Sequence, residues 1–89
     1  MNEVKKYVKE RDTAITNAIK YRDIGTFEDF VKRHTNLYSY YFLEKWNKCN
    51  TTTKWCTVMK MACNCENVPQ EVKEQAKEWL TLNGFDYAL

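Results

Sequence analysis

The sequence predicts an all-α fold, a compact bundle of four to five helices forming a single domain over residues 1–89. Three observations carry that prediction. Apolar side chains recur at three- and four-residue steps through most of the chain, the spacing that puts them on one helix face. Only two Gly and one Pro interrupt 89 residues, which suits helices joined by short loops. No segment alternates apolar and polar residues as a half-buried strand would.

The first helix is expected over about residues 3–22. Val4, Val8, Ile15, Ala18 and Ile19 form its apolar stripe, flanked by Tyr7 and Ala14, while Lys6, Lys9, Thr13, Asn17 and Lys20 lie opposite. Arg11 and Arg22 interrupt the stripe. An arginine so placed lays its stem along the core edge and seeks a carboxylate at the rim, or it meets a partner. Gly25 then breaks the pattern and Thr26 is placed to cap a short second helix, whose face is Phe27, Phe30, Val31 and His34. A third helix is expected over about 36–49 along Tyr38, Phe42, Trp46 and Cys49, with Tyr41 and Leu43 flanking and Leu37 and Tyr40 pointing away.

Asn50 offers a left-handed end to that helix, and one of Thr51, Thr52 or Thr53 starts the next, about 53–65. This fourth helix, with Trp55, Cys56, Val58, Met59, Ala62 and Cys63, is apolar around half its circumference and is expected to be central. The last runs about 69–83, opened by Pro69 and packed through Val72, Ala76, Trp79 and Leu80. Asn83-Gly84-Phe85 ends it, with Gly84 left-handed and Phe85 folding back. The count falls to four if the second and third helices fuse.

Three Trp, six Tyr and four Phe supply a dense core for so short a chain. The net charge of +2 says little about partners. Residues 1–68 carry 12 basic and 8 acidic groups and residues 69–89 carry 2 and 4, an imbalance weaker than nucleic-acid-binding domains show. The charged opening MNEVKKYVKERD has no apolar stretch of signal-peptide length. With no transmembrane segment either, the expected setting is the cytoplasm, where thiols stay reduced.

The four cysteines, Cys49-x6-Cys56-x6-Cys63-x-Cys65, lack a CxxC pair. Residues seven apart on one helix are separated by about 10 Å along its axis, too far to share a zinc or a disulfide; Cys49 and Cys56 could approach only across the loop between the third and fourth helices, which leaves a redox or disulfide role as the alternative. They read as buried, core-packing thiols. His34 reads as a helix-end residue, with a Cys–His dyad the remote alternative. Carboxylates such as Glu28 with Asp29, or Asp12 with Asp23, read as solvated helix surface. No phosphate loop and no HExxH, GxSxG or DxDxDG pattern occurs. The sequence therefore predicts no enzyme, no metal and no cofactor.

Two stretches, AITNAIKYRDIGTFEDFVKRH (14–34) and KMACNCENVPQEVKEQAKEWLTLNGF (60–85), cover a little over half the chain. They resemble small helical proteins of phages, prophages and other mobile elements of Gram-positive, low-GC bacteria, in which a KM…P…A…WL…G ending recurs. The resemblance implies a helical fold and a bacterial cytoplasm and carries no functional residue across.

The expected function is binding to another protein, or to a second copy of the chain, as a phage or mobile-element protein that modulates a host or defence system. The candidate surface comprises Arg11, Arg22 and Tyr40 with Lys6, Lys9 and Lys20, since Tyr and Arg serve most often as interface anchors. The alternative is a nucleic-acid-binding regulator using a helix-turn-helix-like unit at 27–49. Its second helix, SYYFLEKWNK, is aromatic where base-reading residues would stand.

Overall fold

The computed structural model describes residues 2–38 and 40–85; the side chains of residues 2–4 and of Leu37 lie outside that description, and so do the placements expected for Val4 and Leu37. Among the described residues there are five α-helices and no strand: α1 (Asn2–Lys20), α2 (Ile24–Arg33), α3 (Tyr40–Lys48), α4 (Thr51–Asn64) and α5 (Gln70–Leu82). A 3-10 turn, Thr35–Leu37, separates α2 from α3, so the two do not fuse.

The chain punctuates these helices with local polar chemistry. At the end of α1, Asp23 N–H reaches Ala18 O at 3.0 Å and Arg22 N–H reaches Ile19 O at 3.4 Å. That pairing is a Schellman motif and puts Arg22 in the left-handed region at φ 52°. Asp23, rather than Thr26, then caps α2, its Oδ1 accepting from Gly25 N–H at 3.0 Å. A Cβ on Gly25 would meet that same oxygen at 3.0 Å, so glycine lets the cap close in. Gly25 thus sits in the first turn of α2 and does not break the chain.

Asn50 likewise begins a helix instead of ending one. Its backbone is extended (φ −74°, ψ 171°) and its side-chain oxygen accepts from Thr53 N–H at 2.8 Å, so α4 starts at Thr51. Pro69 stands as the N-cap of α5. The far end follows expectation: Gly84 is left-handed at φ 77°, Phe85 N–H reaches Leu80 O at 2.8 Å, and the Phe85 ring stacks on Trp79 at 6.0 Å.

α1 packs along α2 and α4 along α5, with α1 also against α4 and α5. Their shared interior holds Ile15, Ala18, Ile19, Phe27, Phe30, Val58, Met59, Ala62, Val72, Ala76 and Leu80, all at 0–1% exposure. The Cα radius of gyration is 12.6 Å, against about 12 Å for a compact chain of this length. Trp79 and Trp55, expected on buried stripes, are only half-buried and pack at the rim. α3 contributes one buried side chain, Trp46. The Trp46 ring lies 5.5 Å from Phe27, and Phe42 and Tyr38 continue the stack at 6.1 and 4.9 Å. Among the described residues no helix is long and apolar enough to cross a membrane.

Candidate interaction surface

The six candidate residues do not form one surface. Tyr40 opens α3 and points outward at 80% exposure, as expected. Tyr41, expected on a flank of the buried line, is also turned out at 69%, with Lys45 Nζ 5.3 Å over its ring. Because Trp46 anchors the opposite side, the outer face of α3 reads Tyr40, Tyr41, Glu44, Lys45, Asn47 and Lys48, all exposed. Lys48 is paired with Glu44 one turn back at 2.9 Å.

Lys6, Lys9, Lys20 and Arg22 are exposed, but the structure splits them. Lys9 borders an open cleft of about 380 Å³ between α1 and α2, where the short side chains of Thr13, Ala14, Asn17 and Thr26 leave a valley beside Asp29 and Arg33. Lys20 and Arg22 lie at the other end of α1, flanking Tyr21, which is 69% exposed with Lys20 Nζ 5.9 Å over its ring.

Arg11 faces inward along the rim. Its Nε donates to Asp12 Oδ1 at 3.0 Å, with the Arg11 side chain 27% and the Asp12 side chain 2% exposed. Partial burial is the largest single influence and works against the guanidinium charge, but the hydrogen bond to Asp12 together with the charge interactions of Cys65, Asp12 and Tyr7 outweighs it, so the Arg11 pKa is raised. This overturns Asp12 as solvated surface. Asp12 is the buried charge of the molecule among the described residues, and its Oδ2 has no hydrogen-bond partner there. Beside it lies Cys65, whose thiol pKa is pushed up by burial; Arg11 opposes that shift and Asp12 adds to it.

The sequence did hold a signal for Asp12. Val8, Asp12, Ile15 and Ile19 are spaced 4, 3 and 4, so Asp12 lies mid-stripe while Arg11 lies beside it. Reading the arginine as the irregularity hid its neighbour.

Glu28 is corrected too. Its Oε2 accepts from Lys54 Nζ at 2.7 Å and from Trp46 Nε1 at 3.3 Å, tying α2 to α3 and α4. The Lys54 hydrogen bond is the main reason its pKa is lowered, against a smaller opposing effect of burial. Asp23 is spent as a cap; Asp29 is exposed, as expected.

The thiols are all free, but only Cys65 is buried; Cys49, Cys56 and Cys63 are half-buried. The Cys49 thiol donates to Lys45 O at 3.1 Å, closing the end of α3. Burial raises the Cys63 pKa, opposed by Lys77 and Lys73. His34 pairs with Glu10 Oε2 at 3.2 Å and sits against Phe30 and Tyr7 at 4.7 and 5.4 Å, a contact between α2 and α1 that involves no cysteine. Among the described residues no three His, Cys, Asp or Glu side chains gather as a metal site would require. Comparison with protein-family models, curated proteins and solved structures returns no match for the chain.

Proposed function

We propose that the protein acts by binding another protein through the outer face of α3, within phage or mobile-element biology, where such a protein would bind and block a host or defence enzyme. The observation that carries the binding reading is the pair of bare tyrosines, Tyr40 at 80% and Tyr41 at 69% exposure, on a helix whose other side is pinned by Trp46. A tyrosine ring offers a large apolar area with few rotatable bonds, so burying it against a partner costs little ordering entropy. The phage setting and a bacterial cytoplasm rest on the resemblance of residues 14–34 and 60–85.

The nucleic-acid alternative has less behind it. The outer face of α3 carries aromatic and mixed-charge residues, and Lys48 is already paired. Affinity capture from the bacterial host, with wild type beside a Tyr40→Ala/Tyr41→Ala double variant, tests the reading. The expected result is a protein held by the wild type and lost at least about tenfold by the variant, at an unchanged melting temperature. Equal retention by both, or a low-salt shift of duplex DNA with no protein retained, overturns it.

A further inference from the structure

Two helices of this protein end in the same hydrogen-bond pattern with different residues at the critical position. At the end of α5 the left-handed residue is Gly84, with nothing within 4 Å of where a Cβ would stand. At the end of α1 it is Arg22 (φ 52°), the only non-glycine residue at positive φ among those described. Left-handed backbone is unfavourable for a side chain with a Cβ and free for glycine. The Schellman hydrogen bonds hold this backbone in place, but the side chain takes no part in them: Arg22 is exposed, and it has no ion pair or side-chain hydrogen bond among the described residues. A strained, exposed side chain without an internal role points outward for its function.

The surroundings of Arg22 say what it would meet. Tyr21 beside it is 69% exposed, and Lys20 Nζ hovers 5.9 Å from the Tyr21 ring. Three backbone hydrogen bonds fix this corner: Tyr21 to Asn17 at 3.0 Å, Arg22 to Ile19 at 3.4 Å and Asp23 to Ala18 at 3.0 Å. It therefore presents three consecutive exposed side chains, a lysine, a tyrosine and an arginine, on a preformed turn, and preorganisation lowers the entropy lost on binding. The carboxylate of the next residue, Asp23, is turned onto the first turn of α2, where it accepts from Gly25 N–H.

We infer that the Lys20–Tyr21–Arg22 corner is a preformed recognition element for an acidic protein surface, its two cations meeting carboxylates and its tyrosine an apolar spot beside them. The inference rests on the protein-binding reading above and adds a second contact with a stated chemistry. Carboxylates suit it because the arginine fork pairs with them in bidentate fashion. A nucleic-acid backbone suits it less. Phosphate-tracking sites neutralise roughly 6–10 phosphates, whereas the corner offers two cations, and Lys9 is about 16 Å away along α1 at 1.5 Å per residue.

The test titrates the isotope-labelled protein with a glutamate-rich peptide carrying one central leucine, and separately with a short DNA duplex. Wild type is expected to show saturable amide shifts at residues 19–24 with the peptide. Arg22→Gly should weaken that response at least about fivefold, while its melting temperature stays level or rises because glycine relieves the turn. Tyr21→Ala should weaken it also, and Arg33→Gln, an exposed arginine on α2, should leave it unchanged. Four results overturn the proposal: no shift at 19–24, equal losses in Arg22→Gly and Arg33→Gln, a lowered melting temperature in Arg22→Gly, or tighter binding of the duplex. Since Tyr40 and Tyr41 are untouched in every arm, the α3 reading stands or falls separately.

Discussion

The interior shared by α1, α2, α4 and α5 and the helix α3 are built from the same kind of residues and put them to different use. In the interior, Ile15, Ile19, Val58, Val72 and Leu80 are at 0% exposure. Along α3, Trp46 alone is buried, Phe42 and Leu43 are half-covered, and two tyrosines stand in solvent. Apolar burial is the main favourable contribution to folding, so stability is concentrated in the interior. α3 is attached to that interior by a ring stack and by the Glu28–Lys54–Trp46 junction. The lesson is that aromatic content is no measure of core size: α3 carries four aromatic residues in nine and buries one.

Two leucines sharpen that contrast most. Leu80→Ala deletes a fully buried side chain and should cost about 3–4 kcal/mol, within the usual 2–5 for such a change. Leu43→Ala makes the same chemical change on α3, where the side chain is half-covered, and should cost about 1 kcal/mol. Urea unfolding reads both. Equal losses would mean that α3 is as much a part of the core as α5.

A smaller effect is expected where the interior breaks its own rule. Asp12→Ala removes a buried carboxylate and strands Arg11, which is 27% exposed and can turn to water. The substitution should cost about 1–3 kcal/mol, the range for losing one partner of a buried polar pair. A variant that melts above the parent would show that the carboxylate is net unfavourable and kept for another reason.

Much of the architecture was legible in the sequence because helix periodicity survives in a chain with few breakers. Five helices, the packing of Val72, Ala76 and Leu80, and the Gly84–Phe85 stop were all readable. What failed were the boundaries set by side-chain chemistry at single residues. Asp23 and Asn50 each have two plausible roles, cap or surface for one and helix end or helix start for the other, and only the backbone direction decides. Arg22 hid the first helix end because a left-handed arginine has no sequence signature, whereas glycine has one. Burial was misjudged for Trp79, which lies at the edge of the stripe centred on Val72, Ala76 and Leu80; Leu80, one residue further on, is fully buried. Of the candidate surface, Tyr40, Lys6, Lys9 and Lys20 point outward as read; Arg11 lies along the core edge against a carboxylate, as an arginine in the stripe was read to do, whereas Arg22, read the same way, stands in solvent. Tyr21 and Tyr41 were missed because periodicity assigns faces and not exposure.

The junction between the two regions should respond to acid. The Glu28 pKa is lowered in the folded protein, chiefly by the Lys54 hydrogen bond. A depressed carboxylate contributes stability that is fully present above its unfolded value, about 4.3, and is lost as pH falls through the lower, folded value. Between neutrality and pH 5 Glu28 should therefore contribute no pH dependence, and below pH 4 its share should fade. With the Glu28 side chain 28% and Lys54 19% exposed, that share is less than about 1 kcal/mol. Glu28→Gln should flatten the acid limb of the melting curve by that amount; an unchanged limb would remove the ion pair from the account of how α3 is held.

The smallest expected effect is the most informative about function. Tyr40 is 80% exposed at the first position of α3, and its ring appears in none of the ring contacts described, which run through Tyr38, Phe42 and Trp46 instead. Tyr40→Ala therefore removes no packed surface, and alanine is the better helix former. Thermal unfolding should shift by no more than about 0.5 kcal/mol in either direction, and hydrogen exchange in α4 and α5 should stay at the parent level. A loss of 2 kcal/mol or more, by contrast, would place the ring inside the protein's own packing. It would remove the surplus aromatic surface on which the binding reading rests, and α3 would then be explained by folding alone.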